Sequence, residues 1–145
     1  MEELAALYVL WLAGFGSKES YVKALDELFL EDPENDALLE LEGLCGDPRA
    51  TLARLSPFIG GQNADGFGRA LLAGLERYYK ENVTDYSALE RFTHKTHELW
   101  SSELLPFDIA NKDPFFFLCC ADDYLFYRGD DYTREQYRKT FDYYK

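Results

Sequence analysis

TDYSALERFTHKTHELWSSELL, residues 84–105, decides the fold. At 100° per residue from Leu89, the side chains Leu89, Phe92, Thr93, Thr96, Leu99, Trp100 and Leu104 fall in an arc from about 280° to 60°. A stripe of that width is an amphipathic helix, and no alternating strand pattern competes with it. Thr84 is expected to cap this helix and Pro106 to stop it after Leu105, which makes it the longest of the chain.

The same punctuation continues in both directions. Toward the N-terminus, Phe67, Leu71, Leu75 and Tyr78 line a fifth helix that runs to about residue 81. The loop Gly60-Gly61-Gln62-Asn63-Ala64-Asp65-Gly66 precedes it, with Asp65 as the expected cap. Asp47-Pro48 reads as an N-cap followed by proline at the first helical position. Ser56-Pro57 then bends or breaks that fourth helix. Leu38, Leu39, Leu41 and Leu44 mark a short third helix. Tyr21, Val22, Leu25, Leu28 and Phe29 mark a second, capped by Ser17 or Ser20 and stopped at Asp32-Pro33. The first helix carries Leu4, Leu7, Tyr8, Trp11 and Phe15 on one side and Ala5, Ala6, Val9, Leu10 and Ala13 on the other. It has to be covered all round, and Gly14 and Gly16 end it.

Toward the C-terminus, Asp113-Pro114 is expected to start a seventh helix that Gly129 closes. Thr133 and Gln136 have capping-box spacing for the last helix, where Tyr137, Phe141 and Tyr144 share a face. The expectation is an all-α protein: a single compact domain, residues 1–145, of seven or eight short-to-medium helices in an irregular bundle.

Composition narrows the function. The chain has 145 residues, 47% hydrophobic and 17% aromatic, which is ample for a packed core. Against 15 Lys and Arg stand 27 Asp and Glu, a net charge of -12. So acidic a chain repels phosphate backbones, which excludes general nucleic-acid binding. Cys45, Cys119 and Cys120 are too few and too ill-spaced for a disulfide framework and read as reduced thiols. Glu2 and Glu3 stand where a signal peptide carries Lys or Arg. No run approaches the roughly 18 uncharged apolar residues of a membrane span. A bacterial, cytoplasmic protein with no membrane partner is expected.

Chemistry is sparse. His94-Lys95-Thr96-His97 holds both histidines. His97, Glu90 and His94 lie near about 80°, 100° and 140° on the same wheel. They share a flank on which a metal ion could be held, with Asp122 or Asp123 adding an oxygen from another helix. The spacing matches neither His-Glu-x-x-His nor the Glu-x-x-His of di-iron bundles. A metal-binding bundle or metal-dependent enzyme is therefore the alternative reading, and two core-edge histidines the plainer one. Asp32-Pro33-Glu34-Asn35-Asp36 opens like a calcium loop, but Ala37 and Gly43 replace the glycine and glutamate such a loop needs. Gly66-Phe67-Gly68 satisfies no nucleotide motif. Cys119 and Cys120 follow Phe115-Phe116-Phe117-Leu118, an apolar setting that keeps thiols protonated. No cofactor and no catalytic residue is expected.

The charge distribution is uneven. Between Lys23 and Arg49 there is no base, while Asp26, Glu27, Glu31, Asp32, Glu34, Asp36, Glu40, Glu42 and Asp47 fall on helices two and three and their turn. They form one acidic face, which serves either solubility or docking to a basic protein. The last thirty residues are rich in tyrosine, and Tyr143 and Tyr144 are hard to bury so near the end. The leading expectation is a small acidic interaction module that binds or neutralises a basic protein, inhibitor-like in charge and size. Its contacts are Asp26, Glu27, Glu31, Asp32, Glu34, Asp36, Glu40, Glu42, Tyr143 and Tyr144. A homodimeric scaffold built on the first helix or the aromatic C-terminus is a third reading.

Overall fold

The computed structural model describes residues 1–44 and 46–145; the expected reduced thiol Cys45 lies outside them. Among the described residues there is no strand. These described residues form nine α-helices: α1 (Glu2–Leu12), α2 (Lys18–Glu31), α3 (Asp36–Gly43), α4 (Pro48–Leu55), α5 (Ala64–Asn82), α6 (Tyr86–Ser101), α7 (Phe107–Ala110), α8 (Phe117–Arg128) and α9 (Asp130–Asp142). Short 3-10 turns at Ser56–Phe58 and Gly61–Asn63 stand between α4 and α5. None of these helices is long and apolar enough to cross a membrane. The chain divides between Leu71 and Leu72, within α5, into two compact units.

In the first unit α1 is apolar on both sides and is buried accordingly, at Leu4, Ala5, Ala6, Tyr8, Val9 and Leu10. It ends where Gly14 takes φ 82°, a left-handed turn that side chains resist. The amides of Phe15 and Gly16 then both donate to the Leu10 carbonyl, at 2.8 and 3.0 Å, and Phe15 folds back into the core. Ser17 caps α2, accepting from the Ser20 amide at 3.1 Å. Asn35 caps α3 and Asp47 caps α4, with Pro48 in the first turn as its fixed φ favours. The Tyr8 ring lies 5.3 Å from that of Trp11 and 4.8 Å from that of Tyr21, which ties α2 to α1. Such pairs add roughly 0.5–1.5 kcal/mol each beyond the area they bury.

In the second unit α8 packs on α6, and α9 on α8. The α6 stripe is buried at Leu89, Phe92, Thr93, Thr96 and Leu99. Tyr137 of α9 is its hub: fully buried, with Phe92 and Phe117 each 4.9 Å away and Tyr79 and Phe141 each 5.8 Å away. Thr96 Oγ1 donates to the Thr93 carbonyl at 3.1 Å, so the Tyr137 hydroxyl is the donor in its 2.7 Å contact with Thr96. Trp100 Nε1 donates to the Ala110 carbonyl at 2.6 Å and anchors α7.

Several boundaries differ from the sequence expectation. Asp85, not Thr84, caps α6, because its carboxylate accepts from the Ala88 amide at 2.8 Å. The helix stops at Ser101 instead of Leu105: Ser102 Oγ donates to the Leu99 carbonyl at 2.7 Å, and Glu103 turns the chain at φ 66°. The longest helix is therefore α5, at 19 residues. It begins inside the expected glycine-rich loop, with Asp65 in its first turn and not at its cap. The loop is ordered locally by Asn63, whose amide donates to the Pro57 carbonyl at 2.8 Å. Asp113-Pro114 does not start a helix; Pro114 and Phe115 are buried in a turn, α8 starts at Phe117, and α7 is an additional turn after Pro106. Thr133 lies inside α9, its hydroxyl donating back to the Gly129 carbonyl at 2.9 Å, so it forms no capping box with Gln136.

Tyr137 gives the fold its test by chemical denaturation. Tyr137→Phe removes one buried hydrogen bond and is expected to cost about 1 kcal/mol. Tyr137→Ala also empties the aromatic hub and is expected to cost about 3–5 kcal/mol. Equal losses for the two variants would show that the rings contribute little.

Candidate functional site

Tyr21 and Leu25 turn one face of α2 into the core, and Leu38 and Leu41 do the same for α3. The opposite faces carry the acids. Asp26, Glu27, Glu31, Asp32, Glu34, Asp36, Glu40, Glu42 and Asp47 are all exposed. α2 packs on α3, so these residues belong to one local assembly.

Four of the nine have side-chain or backbone partners. Glu40 pairs with Arg54 across to α4. Glu27 lies 4.0 Å from Lys23, Asp32 accepts from the Asn35 amide at 3.3 Å, and Asp47 accepts from the Ala50 amide at 3.1 Å. Among the described residues Asp26, Glu31, Glu34, Asp36 and Glu42 make no ion pair. Asp36 favours the positive start of α3. By contrast, Glu31 ends α2, Glu40 and Glu42 sit in the last turn of α3, and neither turn holds a base. An acid at that end forgoes the ~0.3–1 kcal/mol that a base would contribute there.

Two leucines accompany the acids. Leu30 is 78% exposed and Leu39 46% exposed. Both were legible but missed: Leu30 lies about 140° from Leu25 on the helical wheel and Leu39 about 160° from Leu41. An open, shallow hollow of about 500 Å³ runs along α2, with Val22 and Leu30 among Lys18, Lys23, Asp26 and Glu27. Tyr143 and Tyr144 belong to the second unit, as an edge-on pair at 4.9 Å, Tyr143 exposed and Tyr144 half-buried. The same unit exposes Phe126 and Tyr127 of α8, which the sequence reading did not select.

The histidines are arranged otherwise than a metal flank requires. His97 is half-buried, and its Nδ1 lies 2.8 Å from the Cys119 carbonyl. A carbonyl only accepts, so Nδ1 carries the hydrogen. His94 is exposed, with Nδ1 3.9 Å from Asp122 Oδ2. Glu90 and Asp123 face solvent. Among the described residues no group of three or more His, Cys, Asp or Glu side chains is placed to hold a metal ion. Burial, followed by the neighbouring Cys119, pushes the Cys120 thiol up to about 11, and its sulfur donates to the Phe117 carbonyl at 3.5 Å. No protein-family model, curated protein or solved structure matches the chain.

Two outcomes are expected of the purified protein. Thermal or urea denaturation should show Glu34→Lys neutral to within about 0.5 kcal/mol. Glu31→Lys should stabilise by about 0.3–1 kcal/mol by meeting the α2 terminus, whereas Glu40→Lys should destabilise by losing Arg54. Elemental analysis after gel filtration should find no stoichiometric zinc, iron or manganese. One ion per chain, lost in His94→Ala or His97→Ala, would reinstate the metal reading.

Proposed function

We propose that the chain docks a basic protein through the outer face of α2 and α3. Asp26, Glu27, Glu31, Asp32, Glu34, Asp36, Glu40 and Glu42 supply the field, and Leu30 and Leu39 the apolar anchors. Tyr143 and Tyr144 offer a secondary contact from the second unit. The observation that carries this reading is the placement of unpaired carboxylates at the C-terminal turns of both helices, where they do nothing for folding, next to leucines left in water.

Each component has a distinct physical effect. A surface of one sign draws an oppositely charged partner and raises its encounter rate by tenfold or more at low salt. Salt shortens the reach of that field to about 8 Å at physiological strength. Desolvated apolar anchors then set the lifetime of the complex. A small acidic protein bound in this way masks the cationic surface of its partner, which is how an inhibitor of a basic enzyme or toxin would act.

Capture from the native cell extract, followed by kinetics with the purified partner, tests the proposal. Glu31→Lys combined with Glu34→Lys should slow association about tenfold at low salt and change it little at high salt. Leu30→Ser should chiefly speed dissociation. Identical recovery and kinetics for wild type and both variants across the salt series would refute it.

A further inference from the structure

A cavity of about 130 Å³ opens in the second unit between the last turn of α5 and the first half of α6. Tyr78 and Asn82 form one wall, and Arg91, Phe92 and Lys95 the other; among the described residues no carboxylate lines it. In a chain with 27 acids and 15 bases, a cavity with two cations and no acid is unexpected. Arg91 and Lys95 are four residues apart on α6, so their like charges cost helix stability by about 0.2–0.5 kcal/mol. Lys95 is held in position, its Nζ donating to Tyr78 Oη at 3.0 Å and lying 4.4 Å from the ring centroid. Asn82 Nδ2 donates to the Tyr78 carbonyl at 2.9 Å, and an amide nitrogen carries two hydrogens. The volume is well below the roughly 300 Å³ at which pockets begin to take drug-sized ligands.

We propose that this cavity binds a small tetrahedral oxyanion, a phosphoryl group above all, between the Arg91 guanidinium, the Lys95 ammonium and the Asn82 amide. A guanidinium presents a planar fork that matches two phosphoryl oxygens, and an ammonium adds a point charge. A bound anion would also relieve the repulsion between the two cations. The competing account is that Arg91 and Lys95 only neutralise the carbonyl end of α5.

Amide NMR of the intact protein at constant ionic strength separates the two. The probes are inorganic phosphate, O-phosphoserine, acetate and chloride. Saturable shifts at the Asn82 side-chain amide and at backbone amides 88–95 are expected with phosphate and absent with chloride. The apparent affinity should fall at least tenfold in Arg91→Ala and be partly restored in Arg91→Lys, with helical circular dichroism unchanged in both. Saturation by phosphoserine at the same amides would identify an esterified phosphoryl group as a ligand; saturation by phosphate alone would identify the free ion. An equal response to acetate, a non-saturating response, or full binding retained in Arg91→Ala would overturn the proposal and leave the two bases to the α5 terminus.

Discussion

Twenty-seven carboxylates share fifteen cationic side chains, and the distribution of those few bases shapes everything else in the molecule. In the second unit Lys80 and Lys145 both close on Glu76, at 3.0 and 2.9 Å, while Arg138 spans Glu135 and Asp142 on α9. Burial raises the Glu76 carboxyl, but the Lys145 and Lys80 ammoniums outweigh it and hold the group below the usual carboxylate range. In the first unit α2 and α3 receive Arg54 on Glu40 and a distant Lys23, and little more. Ion pairing cannot hold such a chain together. Rings and aliphatic side chains do, at Tyr8, Trp11 and Tyr21 in one unit and around Tyr137 in the other.

A surplus of acids needs only exposure, and it could have been spread over every helix. Instead it is concentrated on α2, α3 and the turn between them, and it includes the two helix ends where the backbone dipole opposes it. Self-repulsion among close carboxylates destabilises the compact state. The docking proposal rests on these opposed helix-end acids and on Leu30 and Leu39 left in water beside them.

The architecture was legible where a signal had no competitor. The Leu89-to-Leu99 stripe, the two-sided apolar first helix and Asp47-Pro48 each admit one reading, and each appears as expected. Boundaries failed where neighbouring residues compete for one role. Thr84 and Asp85 are both good caps, and only the packed geometry aims one of them at the Ala88 amide. Pro106 and Asp113-Pro114 are both plausible helix starts, and the chain uses the first for a single turn. The histidines follow the plainer core-edge reading, with His97 half-buried and His94 exposed, but their exact orientation was not legible. A helical wheel gives the side of the helix but not the direction of a ring, and the Cys119 carbonyl on α8 decides how His97 points. The outward leucines needed only their angle. The cationic cavity needed Tyr78, thirteen positions before Arg91 and on another helix, and no spacing rule reaches that far.

Hydrogen–deuterium exchange of the protein, alone and bound to its captured partner, tests the docking surface most directly, because it locates the contact without presuming its chemistry. Slowed exchange over residues 26–42, with the buried amides of α1 and α6 unchanged, is expected. Protection that leaves residues 26–42 untouched and falls elsewhere would contradict the assignment of the acidic face of α2 and α3 as the site of recognition.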